Sequence, residues 1–155
     1  YIAPSHDELA AEGHLYMDDG QTFAYRDDQA FLARKFTLTR DGPGHLRLAS
    51  TSLTGRDIHT SASSTALQVP GNAYEQETSS VRVERIIVYG LPEVHRIIAR
   101  DAHGHETSLS FTYTSGTSRS PTASDASARL ASRLEIRDPR VLIGQDWSIL
   151  MEIAP

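Results

Sequence analysis

The chain of 155 residues contains no cysteine, one tryptophan, two methionines and a single asparagine, Asn72. Without thiols, disulfide scaffolds, cysteine-based zinc sites, iron–sulfur ligation and cysteine nucleophiles are all excluded. The redox compartment stays open, because secreted domains also exist without cysteine. A chain of this length buries roughly 68–70% of its unfolded surface, so one core forms without metal or disulfide. Long apolar runs are missing as well. The longest, Ile86-Ile87-Val88-Tyr89, is strand-sized, far below the roughly 18 residues of a membrane span. Positive charge is the minority sign, with 15 basic against 20 acidic residues, a net charge of −5, and the basic residues scattered. Nucleic-acid-binding domains carry a basic face, so neither nucleic acid nor membrane is an expected partner. No secretory leader pattern is visible, and the chain opens Tyr1-Ile2-Ala3-Pro4. The expectation is an internal or processed piece of a longer polypeptide.

What is present repeats with a period of two. His14 to Met17 and Thr22 to Tyr25 flank Asp18-Asp19-Gly20, which predicts a hairpin turned on an Asp-Gly step. Phe36 and Leu38 alternate with polar neighbours, Asp41-Gly42-Pro43-Gly44 turns the chain, and His45 to Ser52 reads as a strand with Leu46 and Leu48 inward. Val81 to Tyr89 is the clearest strand, stopped by Gly90-Leu91-Pro92, and Val94 to Arg100 follows. Glu106 to Thr114 reads as one strand with Leu109, Phe111 and Tyr113 on one face. Leu134 and Ile136, then Val141 to Ile143, continue the pattern, and Trp147, Ile149, Met151 and Ile153 mark the last strand. Residues 53–80 and 115–133 are rich in Ser, Thr and small residues, which predicts long surface loops, mobile at 60–80 and 115–133. Helix is expected only at Asp7 to Glu12 and Ala126 to Arg133. The predicted fold is all-β, an antiparallel β-sandwich with long Ser/Thr-rich surface loops, with a closed barrel as the competing geometry.

Chemistry-bearing patterns are sparse. Asp18-Asp19 and Asp27-Asp28 are adjacent carboxylates. Adjacent residues on a strand face opposite ways, and in turns Asp caps local N–H groups, so both pairs are read as structural. His103-Gly104-His105 is the one close histidine pair, with His95 as a conceivable third ligand. The spacing fits no usual zinc pattern, and no metal or cofactor is expected. A Gly-x-Ser-x-Gly elbow, a phosphate-cradling loop and a glycosylation sequon are all absent. Aromatic residues invite comparison with a sugar platform. Trp147, Tyr113 and Phe111 are in phase with apolar faces and read as core, which leaves Tyr25 and Tyr74 as the exposed candidates.

The segment Glu12-Gly13-His14-Leu15-Tyr16-Met17-Asp18-Asp19-Gly20-Gln21-Thr22-Phe23 resembles the Gly-x-Leu-aromatic-x-Asp-Asp-Gly-x-[Ser/Thr] stretch of family 31 glycoside hydrolases, the retaining α-glucosidases. Phe31 to Phe36 resembles the strand that follows it, and Val83 to Gly90 a strand of that family's distal C-terminal domain. Asp146-Trp147-Ser148-Ile149 resembles the closing strand of the family's glucosidase II branch. The signature positions carried over are Asp18, Asp19, Gly20, Gly90, Asp146 and Trp147. The resemblance implies that 1–30 ends a proximal C-terminal β-domain and 31–155 forms the distal C-terminal β-sandwich. It implies a parent that trims α-1,3-linked glucose from N-glycans in the endoplasmic reticulum lumen. The implied partners are the catalytic (β/α)8 barrel of the same polypeptide, a regulatory beta subunit, and the glycan bound by the parent. The family's nucleophile lies in a Trp-[Ile/Leu]-Asp-Met-[Asn/Ser]-Glu motif, which has no counterpart here, since Trp147 sits in a different setting. No catalytic residue is carried over. Another family 31 α-glucosidase, or a free carbohydrate-binding β-sandwich, is the alternative.

Overall fold

A computed structural model describes residues 1–5, 7–53, 72–116 and 131–154. The Ser/Thr-rich stretch at 60–65 and most of 115–133, where mobility is expected, lie outside them. The described residues form two packed antiparallel sheets, the expected sandwich. The larger sheet has the order β1-β2-β3-β9-β5-β6. Its strands are β1 Ala11–Met17, β2 Leu32–Arg40, β3 His45–Ser52, β5 Val94–Arg100, β6 Glu106–Ser108 and β9 Trp147–Ile153. The smaller sheet is β4-β8-β7, from β4 Arg85–Tyr89, β8 Arg133–Arg137 and β7 Phe111–Thr114.

The core lies between the sheets. Leu38, Leu46, Leu48, Ile97, Trp147, Ile149 and Met151 of the large sheet meet Ile86, Val88, Leu134 and Ile136 of the small one. The period-two expectation holds most cleanly in β9, where Trp147, Ile149, Met151 and Ile153 are buried and the residues between them are not. Sheets with one buried face give this alternation, and their hydrogen-bonded registers fix which residues face the core.

Several expectations are corrected. The Asp18-Asp19-Gly20 segment is not a two-strand hairpin turn: residues 22–25 do not return as a strand, and β1 pairs instead with β2, from Ala11↔Leu38 to Met17↔Leu32. The connection holds a short helix, α1 Ala24–Asp27. Glu106 to Thr114 is not one strand. β6 pairs with β5 in the large sheet and β7 with β8 in the small one, so the chain changes layers at Leu109-Ser110. Leu109 stays in the core across the step, its N–H bonded to the Ile97 carbonyl. The helix expected at Asp7 to Glu12 does not form, and the one expected at Ala126 to Arg133 lies outside the described residues except at 131–133. Leu9 has φ of +51°, a left-handed conformation that no right-handed helix accommodates, and Ala11 already opens β1. Arg133 opens β8. Val81 to Tyr89 is regular only from Arg85, and Val141 to Ile143 contributes one isolated bridge, Arg82↔Leu142, in place of a strand.

Residues 72–80, expected as loop, contain a second short helix, α2 Ala73–Glu77. Its cap is Asn72, whose Oδ1 accepts the Glu75 N–H at 3.0 Å while its Nδ2 donates to the Phe31 carbonyl at 3.0 Å. The lone asparagine thus starts the helix and ties it to the residue before β2. The domain boundary expected between residues 30 and 31 is bridged by the full-length β1–β2 pairing.

Candidate functional surfaces

The Asp18–Thr22 turn is built by its own carboxylates. Asp18 Oδ1 accepts the Gly20 N–H at 2.9 Å. Asp19 Oδ1 accepts the N–H groups of Gln21 and Thr22, each at 3.1 Å, and its Oδ2 accepts the Thr22 hydroxyl. Gly20 takes φ of +64°, a value that suits glycine. The Thr22 hydroxyl and two N–H groups favour the ionised Asp19 and hold its carboxyl below the ordinary 3.8. Both carboxylates accept local backbone N–H groups, as the residue pattern predicts.

Around this turn lies an aromatic edge. Tyr16 of β1 stacks on buried Phe31, with ring centroids 5.4 Å apart. Phe23 and Tyr25 lie 6.3 Å apart, and the Arg26 guanidinium sits 5.2 Å above the Phe23 ring. Phe23 is 64% exposed and Tyr16 53%. The exposed aromatics are therefore not Tyr25 and Tyr74 alone: Tyr25 is open, Tyr74 is only half-exposed, and Phe23 and Tyr16 surpass both. The Tyr16 hydroxyl is pushed up to about 12, first by the cover over it and then by the Asp18 carboxylate it bonds.

A second site was invisible in the sequence. Arg34, in the middle of β2, is 1% exposed. It lies on the same strand face as Phe36 and Leu38, the face turned toward the core. Its guanidinium donates to Ser50 Oγ, to the carbonyls of Gly144 and Gln145, and to Asp146 Oδ1 at 2.6 Å. Asp146 Oδ1 also accepts the Ser52 N–H at 3.0 Å. The neighbouring Trp147 is buried at 6% exposure, its indole N–H bonded to the Leu142 carbonyl and its ring 6.0 Å from Phe36. The Asp146-Trp147 pair therefore anchors the start of β9 to β2 and β3. Gly90, at the end of β4, has φ of +73° and donates to the Ser132 carbonyl.

An open cleft of about 390 Å³ lies beside this anchor. Phe36, Leu38, Leu48, Ile86 and Trp147 form its floor, and Tyr1, Glu12, His14 and Arg85 its rim. Glu12 is its one carboxylate among the described residues and is paired with Lys35 at 3.0 Å. Retaining glycoside hydrolysis requires two carboxyl groups about 5–5.5 Å apart, and this cleft does not bring two together.

The histidine pair is also local. His103 and His105 have ring centroids 6.1 Å apart. Asp101 accepts both of their backbone N–H groups and contacts His105 Nδ1 at 3.1 Å. His95 stands exposed on β5. Among the described residues no group of three or more His, Asp or Glu side chains is placed to hold a metal, and no helix is long and apolar enough to cross a membrane.

No family model matches the chain. Over 139 residues it is 25% identical to the human protein neutral alpha-glucosidase AB, a match that covers 90% of this chain and 11% of that one. Among solved structures, a DNJ-bound glucosidase II alpha subunit superposes with a TM-score of 0.66 at 23% identity, covering 94% of this chain and 13% of that one. A complex of the catalytic subunit of ER glucosidase II with the binding domain of its regulatory subunit gives 0.65 at 23% identity, over the same shares. The chain thus spans only 11–13% of the length of these relatives. They are the proteins toward which the resemblance of the Asp-Asp-Gly and Asp-Trp segments pointed.

Proposed function

We propose that the chain is the non-catalytic C-terminal β-region of an α-glucosidase of the glucosidase II type, and that it braces the catalytic barrel of its parent. The observation that carries this reading is the pairing of 94% coverage of this chain with 13% of the alpha subunit, in a segment whose adjacent Asp18 and Asp19 are bonded into a local turn. The parent would trim α-1,3-linked glucose from N-glycans in the endoplasmic reticulum lumen, together with a regulatory beta subunit. In this reading residues 1–30 lead out of a proximal β-domain into the distal sandwich of 31–155, with the β1–β2 pairing as their joint. Asp18, Asp19, Gly20, Gly90, Asp146 and Trp147 then serve as structural signature positions.

The bracing surface would be the Tyr16, Phe23 and Tyr25 edge. Inter-domain contacts within a chain bury about 600–1,500 Å², and exposed apolar patches mark such contacts. The chain alone is expected to show no turnover of a chromogenic α-glucoside above background and to self-associate in sedimentation. Phe23→Ser should weaken that association. Turnover abolished by Asp18→Ala or Asp19→Ala would overturn the reading.

Exposure of the same aromatics favours a second reading, a carbohydrate-binding module. It expects saturable glycan binding by the isolated chain, lost in Phe23→Ser, where the bracing reading expects none. The same domain in another family 31 α-glucosidase differs from the first reading only in the parent's substrate, so linkage specificity of the whole enzyme separates those two.

A further inference from the structure

The outer face of the small sheet carries a charge arrangement unlike the rest of the molecule. Cross-strand register places Arg85 opposite Arg137, Ile87 opposite Glu135 and Tyr89 opposite Arg133. Directly paired residues share a face, so three guanidiniums surround one carboxylate there. Glu135 is 5% exposed, and it engages Arg137 Nε at 2.8 Å, Arg85 Nε at 3.4 Å and Arg133 Nη2. The arginine side chains remain open, at 51% for Arg85, 37% for Arg133 and 72% for Arg137. Each guanidinium has five N–H donors, and one carboxylate with two oxygens meets few of them. The Arg85–Arg137 opposition sets like charges side by side, and the two share a single Glu135 oxygen, Oε1, between them. Glu135 supplies one negative charge for three positive ones. This excess stands on a chain whose net charge is −5.

We propose that this face is an interaction surface for an acidic segment of a partner protein, bound in extended form with its carboxylates on Arg85, Arg137 and Arg133. Arg133 and Arg137 are four residues apart on β8, about 13 Å at the usual strand rise. An extended segment with carboxylates four residues apart spans the same distance. Bidentate geometry suits guanidinium to carboxylate. Tyr89 on the same face, with Tyr1 stacked on it at 6.4 Å, offers apolar surface that a free anion would not use. A nucleic acid is disfavoured, because its dense phosphate charge would face a net-acidic protein. The inference rests on this face alone and does not depend on the α-glucosidase reading.

The test is titration of the full 155-residue chain with a labelled decapeptide of alternating Glu and Thr, beside its Gln-Thr counterpart, followed by fluorescence anisotropy. Saturable binding of the Glu peptide is expected, weakening with added salt, with the Gln peptide at least tenfold weaker. The double variant R85Q/R137Q keeps Arg133 on Glu135 and should lose at least tenfold in affinity. Backbone amide NMR of the unmodified chain is the second readout, with shifts expected at Arg85, Tyr89, Arg133 and Arg137. No saturable binding, equal binding of the two peptides, or shifts confined to other residues would each overturn the proposal. So would inorganic phosphate or a ten-nucleotide single strand competing at the peptide's own concentration.

Discussion

Arg34 shows how far one side chain's chemistry depends on its surroundings. A guanidinium taken out of water needs a charge partner and acceptors for its donors, and β2, β3 and the turn before β9 supply them through Ser50, Gly144, Gln145 and Asp146. Removing the carboxylate leaves a buried cation with neutral acceptors only. Asp146→Ala is expected to lower unfolding stability by about 3 kcal/mol, the low end for a broken buried pair because Asp146 itself reaches water. Its neighbour acts through packing. Trp147→Ala should cost about 3–5 kcal/mol, the range for truncating a large buried aromatic. Thermal melts of both variants, run beside a glycan-binding assay, check this. Unchanged melting with lost glycan binding would mark Trp147 as a sugar platform. Tyr16 offers a spectroscopic test. Phenolate absorbance should show one tyrosine titrating near pH 12, and Asp18→Asn should bring it down toward the ordinary value by removing the adjacent negative charge. Because the folded value is raised, Tyr16 contributes stability below the unfolded value of 10 and loses it as pH climbs through about 12.

At the scale of elements, the turns are held by side chains where regular ladders are absent. The Asp18–Thr22 turn and the Asp101–His105 turn each close on a carboxylate that accepts backbone N–H groups, which is how Asp stabilises a turn. Asp19 and Asp101 are both held below the ordinary 3.8, Asp19 chiefly by the Thr22 hydroxyl and Asp101 chiefly by the His105 N–H. A depressed folded value contributes stability that is complete above about pH 5 and is lost as pH falls through the folded value. Asp19→Asn should therefore flatten the acid side of a melting-temperature profile below about pH 5. A profile that stays as steep as in the unaltered chain would show that the turn does not depend on the ionised carboxylate. Gly90 ends β4 in left-handed backbone with open space where a Cβ would stand. Gly90→Ala is then expected to cost about 1–2 kcal/mol from backbone conformation alone, read from the shift in urea midpoint.

At the scale of the molecule, two sheets enclose one main core, and the surfaces left over differ in kind. The β1–α1 edge is aromatic, the outer face of the small sheet is cationic, and the Arg34–Asp146 pair stands beside an apolar cleft.

The sequence by itself determined the fold class and the core of most strands. Period-two alternation in β3 and β9 follows from strand geometry, where successive side chains face opposite ways, and the buried residues there are the ones the pattern marks. It also determined that Asp18 and Asp19 belong to a turn, because short carboxylates next to glycine bond local N–H groups. Tertiary structure alone decided which sheet each strand joins. Alternation names two faces but not the neighbour, so the layer change at Leu109-Ser110 and the pairing of β1 with β2 were not legible. Charge was the other blind spot. An arginine reads as surface in any linear pattern, and the charge partner and carbonyls that make the burial of Arg34 tolerable, Gly144 to Asp146, lie more than a hundred positions away. The three arginines around Glu135 likewise become neighbours only when β4 and β8 pair, because cross-strand register, not chain order, sets which charges meet.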